Sequence, residues 1–177
     1  MHTWYYRLNA LVSWVGMFLA LIMALNYITG RFDMVYPDID ISVSDINLIS
    51  NPNYDEDLAL VYLNIKGDLS PVFNNWSVKL IFLYITVEYR TPQNRVNKIT
   101  IYDKIINETQ HASLDLSHVN DYPIIEASKA LKGGKLSIRL NYDIVPQAGL
   151  LTQYHAETVL NVTLPTTYTP LQRRSRF

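Results

Sequence analysis

The chain has 177 residues, 15 basic and 16 acidic, and a formal charge of −1 at neutral pH, so no basic surface suited to nucleic acid is implied. It contains no cysteine, which excludes disulfides, a thiol nucleophile, thiolate-bound zinc and iron–sulfur clusters. Apolar residues are unevenly distributed: residues 8–30 hold no charged side chain, whereas the remainder is charged at ordinary density.

Residues 8–29 read LNALVSWVGMFLALIMALNYIT. About 22 residues cross a hydrocarbon core of about 30 Å at a helical rise of about 1.5 Å each. Trp4, Tyr5 and Tyr6 precede this run and Tyr27, Phe32 and Tyr36 close it, as expected of rings at the two headgroup levels. A cleaved signal peptide is the competing reading, but its apolar core is about 7–15 residues and ends in a small-x-small site. Here the run is longer and residues 26–31 lack such a pair, so a retained anchor is expected. Arg7 and Arg31 flank it almost symmetrically, which leaves the positive-inside rule weak. Direction is read instead from the short N-terminus and from three glycosylation sequons beyond the span: Asn75-Trp76-Ser77, Asn107-Glu108-Thr109 and Asn161-Val162-Thr163. The expected organisation is a cytosolic segment over residues 1–7, a signal anchor over 8–30 and a lumenal domain over 31–177.

The rest of the chain predicts strands. Residues 39–44 alternate with period two. In 58–69, Ala59, Val61, Leu63 and Ile65 share one face. Residues 77–90 are the strongest strand signal, apolar on both faces in their first half, which predicts a central strand covered on both sides. Residues 97–106 should form a hairpin with it across the turn at 91–94, and 135–145 and 154–164 supply two more strands. Only 122–132 looks helical, with Gly133-Gly134 ending it. Six or seven strands, mostly antiparallel, read as an all-β protein: an antiparallel β-sandwich preceded by one transmembrane helix.

The search for chemistry finds none. Among four histidines, His2 precedes the span, His111 and His118 fall on opposite strand faces, and His155 with Glu157 makes at most half a metal site. Ser113 and Asp115 near His111 come without a nucleophile-elbow or Ser-x-x-Lys pattern. Residues 55–57 read as an exposed acidic turn rather than a calcium loop. No cofactor motif is present, so neither a cofactor nor a small-molecule substrate is expected. The basic tail Arg173, Arg174 and Arg176 reads as solvated.

Three blocks, in order, carry a family resemblance: residues 69–89 (LSPVFNNWSVKLIFLYITVEY), 101–106 (IYDKII) and 140–151 (LNYDIVPQAGLL). Together with the N-terminal anchor they closely resemble the subunit 3 family of the signal peptidase complex. The departures are an extra asparagine before Trp76 and tyrosine where the family has tryptophan, at Tyr102 and Tyr142. The resemblance implies a non-catalytic type II protein of the endoplasmic reticulum membrane. Its implied partners are the lipid bilayer, a catalytic subunit with a serine-based active site, and the other subunits of that complex. Residues 157–163 look like a family strand that carries a glycan, which ranks Asn161 first as acceptor, then Asn107, then Asn75. Trp76, Tyr84, Tyr102 and Tyr142 are read as core residues with an interface role as the alternative, and Asp103 and Lys104 as an internal charged pair with a partner contact as the alternative. An anchored lumenal hydrolase and an anchored binding module are the other classes that remain open.

Overall fold

A computed structural model describes residues 3–32, 35–51, 56–107 and 112–170. The apolar run forms one helix, α1 (Trp4–Phe32), free of proline and rich in Leu, Ala and Met. Every described side chain from Thr3 to Leu25 is exposed, and the helix is long and apolar enough to cross a bilayer. Over residues 4–25 the helix is apolar on most sides and covered by nothing among the described residues, as suits a lipid-facing segment. Two of its hydroxyls turn back onto their own helix: Ser13 Oγ donates to the Asn9 carbonyl (2.9 Å) and Thr29 Oγ1 to that of Leu25 (2.7 Å).

Among the described residues eight strands follow: β1 (Ile39–Asn51), β2 (Glu56–Asp68), β3 (Val78–Tyr89), β4 (Asn97–Ile106), β5 (Ser113–Val119), β6 (Ile124–Glu126), β7 (Lys135–Pro146) and β8 (Thr152–Thr163). A single-turn helix, α2 (Ser70–Phe73), links β2 to β3. The first sheet runs β1-β2-β5, with β6 also pairing to β2; the second runs β4-β3-β7-β8. All pairings are antiparallel, as the sandwich reading requires. Alternation decides the core. Ala59, Val61, Leu63 and Ile65 of β2 and Ile81, Leu83, Ile85 and Val87 of β3 are fully buried in one cluster with Ile138 and Leu140 of β7. Burying each of the larger side chains contributes about 1.5–3 kcal/mol. The ladders are interrupted by register shifts at Val43/Asp45 in β1, Leu63/Ile65 opposite β5, Ile85/Thr86 opposite β4 and Arg139/Asn141 opposite β8.

Four expectations need correction. β3 is central in its sheet, between β4 and β7, but Leu80, Phe82 and Tyr84 on its outer face stay half-buried, so it is fully covered on one side only. Residues 122–132 form no helix. They open with β6, paired to β2 through Ile124↔Ala59, and continue in turns. Side chains hold the backbone donors there. Glu126 Oε1 accepts from Ser128 Oγ (2.7 Å) and N–H (3.2 Å), which keeps the Glu126 carboxyl below its usual range, and Asp57 Oδ2 accepts from Leu131 N–H (3.3 Å). Asp57 is thus no exposed turn residue: it is fully buried on β2, and its Oδ1 takes the Tyr168 hydroxyl at 2.7 Å. Asp55 lies outside the described residues. The strand β5 goes beyond the expected set; only Leu114 and Leu116 give it apolar alternation.

Candidate functional site

The sandwich does not hang loosely from α1. After α2, Asn75 folds the chain back, its Oδ1 accepting from the Ser77 N–H (3.0 Å) and Oγ (2.8 Å). That turn aims Asn75 Nδ2 at the Gly30 carbonyl, 2.9 Å away. Gly30 lies in the last turn of α1, where carbonyls lack an intrahelical donor, so the sandwich supplies a cap from 45 residues along the chain. Glycine is needed there: a Cβ would meet Ser77 Oγ and come within 2.8 Å of Ser77 Cβ. One turn earlier, Tyr27 packs on Gly149 of the β7–β8 loop, whose φ of 117° and contact with the ring both favour glycine. Gln147 N–H donates to the Ser77 carbonyl (2.6 Å), tying the two loops together. Asn26 is buried in the cleft they form with α1, its Oδ1 without a hydrogen-bond partner among the described residues. Helix and sandwich are therefore clasped at Asn26–Gly30.

A second feature is the outer face of the second sheet. Phe82 stacks on Tyr84 (ring centroids 5.3 Å apart) and is flanked across the strands by Ile105 of β4 and Asp143 of β7. Ile105 is 62% exposed. Asp143 is 7% exposed; it takes the Tyr84 hydroxyl, while its Oδ1 has no partner among the described residues. Burial, and then the Asp143 charge, pushes the Tyr84 hydroxyl pKa up. An apolar strip of this kind suits a surface bearing aliphatic or aromatic side chains.

The other candidate residues divide. Tyr102 (7% exposed) and Tyr142 (4%) belong to the core; burial raises both pKa values, Tyr142 to about 12, with Tyr154 stacked on it at 5.4 Å. Trp76 departs from the core reading and stands 59% exposed. Asp103 and Lys104 do not pair, because successive strand residues face opposite ways: Asp103 lies opposite Tyr84 on the outer face, Lys104 opposite Leu83. Asp103 instead holds the Tyr122 hydroxyl, raising its pKa. Of the sequons, Asn161 is exposed on β8, accepting from Ser137 Oγ at 2.8 Å, and Asn107 is exposed just past β4. Asn75 is buried, and the amide nitrogen a glycan would occupy is the one bonded to Gly30. His118 stacks flat on Tyr62 (4.0 Å) and lies 3.4 Å from Ser44 Oγ, a packing role. His155 is exposed, while His111, the Glu157 side chain and the arginine tail lie outside the described residues. No group of three metal-ligating side chains occurs among the described residues.

Both the clasp and the sandwich fall within a stretch, residues 1–167, that matches the family described as Signal peptidase subunit. The chain belongs to that family. It is 32% identical to signal peptidase complex subunit 3 of Dictyostelium discoideum, over 95% of this chain and 97% of that one. The protein of the same description from Drosophila melanogaster is 32% identical over 88% and 90% of the two chains, and that from Homo sapiens 29% over 95% and 97%. The match therefore runs through helix and sandwich together. Among solved structures, the putative ApaA protein from Bordetella pertussis gives a TM-score of 0.31 at 12% identity, over 74% of this chain and 97% of that one, too loose a likeness to argue from.

Proposed function

We propose that this chain is a non-catalytic, accessory subunit of the signal peptidase complex, anchored by α1 in the endoplasmic reticulum membrane with its sandwich in the lumen. It takes part in removing signal peptides by docking on the catalytic subunit and fixing that subunit's height above the bilayer. The observation that carries this reading is the full-length likeness to proteins named signal peptidase complex subunit 3, which takes in the apolar helix as well as the sandwich. The clasp supports the positioning role, since a body fixed to a membrane helix can hold a partner at constant depth. Reacting groups misplaced by about an ångström lose roughly a hundredfold in rate, so constant depth has catalytic value. The docking surface is the outer strip of Phe82, Tyr84 and Ile105, with Ile105 the most exposed of the three. Asn161 is the preferred glycan acceptor, on the exposed part of β8.

Depletion of the chain in cells should leave signal peptides uncut, and the wild-type gene should restore cleavage. A Phe82→Asp, Ile105→Asp variant should remain membrane-anchored and folded yet no longer co-purify with the catalytic subunit in mild detergent. Normal processing in depleted cells without a paralogue refutes the function. Undiminished co-purification of the double variant refutes the docking face.

A further inference from the structure

The two ends of the sandwich differ in chemistry. The end that holds α1 carries the exposed Asp68, where β2 leads into α2, and, beside it, three largely uncharged segments: residues 35–38, the turn 74–77 and the β7–β8 loop 147–151. They read VYPD, NNWS and QAGLL, with Asp38 the sole charge. Each exposes large apolar side chains: Val35 and Tyr36, Trp76 at 59%, Leu150 at 73% and Leu151 at 49%. The loops at the opposite end, 90–96 and 127–134, carry Arg90, Arg95, Lys129 and Lys132, all exposed.

Depth in the membrane follows from α1. Leu8 to Asn26 rises about 27 Å along a helix, close to the roughly 30 Å of a hydrocarbon core. With Trp4, Tyr5 and Tyr6 at one headgroup layer, the turn Asn26–Gly30 reaches the other. The clasp fixes its partners at that same depth. Trp76 sits between Asn75 and Ser77, which hold Gly30; Leu150 follows Gly149, which holds Tyr27, and itself lines the cleft with Asn26.

We infer that the turn 74–77 and the loop 147–151 form a collar seated in the phospholipid surface, with Trp76, Leu150 and Leu151 inserted at the boundary of headgroups and acyl chains. The occupant is lipid because this patch is continuous with the membrane helix, lacks basic and acidic side chains in both loops, and presents an indole, a ring suited to that layer. The collar adds a second attachment beside α1 and restrains the tilt of the sandwich. The inference rests on the membrane-anchor part of the proposed function and is independent of assembly with a protease.

The chain has three tryptophans, so Trp4→Phe with Trp14→Phe leaves Trp76 as the sole reporter. The full chain is reconstituted into phosphatidylcholine vesicles brominated at shallow or deep acyl positions. Expected is a blue-shifted Trp76 emission, most of it lost with shallow bromines and less with deep ones. A Trp-free chain carrying Val96→Trp at the opposite end should keep a water-like, unquenched emission. Adding Leu150→Asp and Leu151→Asp, at exposed positions that burden no core, should return much of the Trp76 signal. Water-like, unquenched Trp76 in a chain that carbonate fails to extract overturns the collar while leaving the anchor standing. Extraction by carbonate overturns both. Shielding of Trp76 that arises only when the purified catalytic subunit is added overturns lipid as the occupant in favour of protein.

Discussion

Changing Asn75 to aspartate separates the clasp from the turn that builds it. The carboxylate retains an oxygen able to accept from the Ser77 N–H and Oγ, but the nitrogen that donates to Gly30 becomes an acceptor facing a carbonyl. The lost bond leaves a buried carbonyl without a donor, at about 1–3 kcal/mol, and oxygen–oxygen repulsion adds to it, for a total of about 2–4 kcal/mol. At about 1.4 kcal/mol per tenfold, the undocked population rises roughly 30- to 700-fold. The absence of native cysteine makes the assay direct, because spin labels can be placed on Ile22→Cys and Val96→Cys without removing any other thiol. In bilayer nanodiscs, pulsed dipolar spectroscopy should give a narrow distance distribution for the parent and a broad one for Asn75→Asp. Lowering the pH should narrow it again, since a protonated carboxyl can donate to Gly30. Gly30→Val, which drives a side chain into Ser77, should broaden it through the other partner. Identical narrow distributions in all three proteins would refute the clasp.

Three further outcomes follow from single contacts. Tyr168→Phe removes the hydroxyl that donates to the fully buried Asp57 at 2.7 Å, leaving a buried acceptor without that partner, and should lower unfolding stability in mild detergent by about 1–3 kcal/mol; an unchanged denaturant midpoint contradicts it. Expressed with microsomes, Asn161→Gln should lose one glycan step on a gel and Asn75→Gln none; a glycosidase-sensitive step dependent on Asn75 contradicts the buried placement. Burial, with the Glu126 hydrogen bond, pushes Tyr89 to about 12, and burial beside Tyr154 does the same for Tyr142. Both contributions to stability are intact below the ordinary tyrosine value of 10 and are lost as pH rises through about 12. Alkaline unfolding followed by circular dichroism should therefore steepen in that window and flatten in Tyr89→Phe, Tyr142→Phe.

Where the sequence was legible, the signal was local. Spacing alone puts Val61 and Leu63 of β2, and Ile81 and Leu83 of β3, on shared faces, and the charge-free run defines α1; which face turns inward is decided by the opposing sheet. The misread segment is one in which distant groups decide. Residues 127–132 hold alanine, leucine and lysine, good helix formers, but Leu131 N–H goes to Asp57, 74 residues away, and Lys129 adopts a φ of 50°. The outer face of β3 was over-read for a related reason: apolar side chains on both faces of a strand do not say whether their cover comes from the same chain. The clasp left almost no local trace. An Asn-x-Ser triplet reads equally as a sequon and as an Asn-led turn, and only the fold shows the amide engaged by Gly30.

The interrupted ladders bear on how this molecule meets its neighbours. Each outermost strand is broken: β1, β4 and β8 by register shifts, and the remaining rim by a shift within β5, where His118 takes a φ of 55°, and by the change from β5 to β6. A kinked rim offers no long straight row of free amides and carbonyls for another chain to extend. Self-templated stacking is thereby discouraged, and association is directed to side-chain surfaces rather than to strand addition.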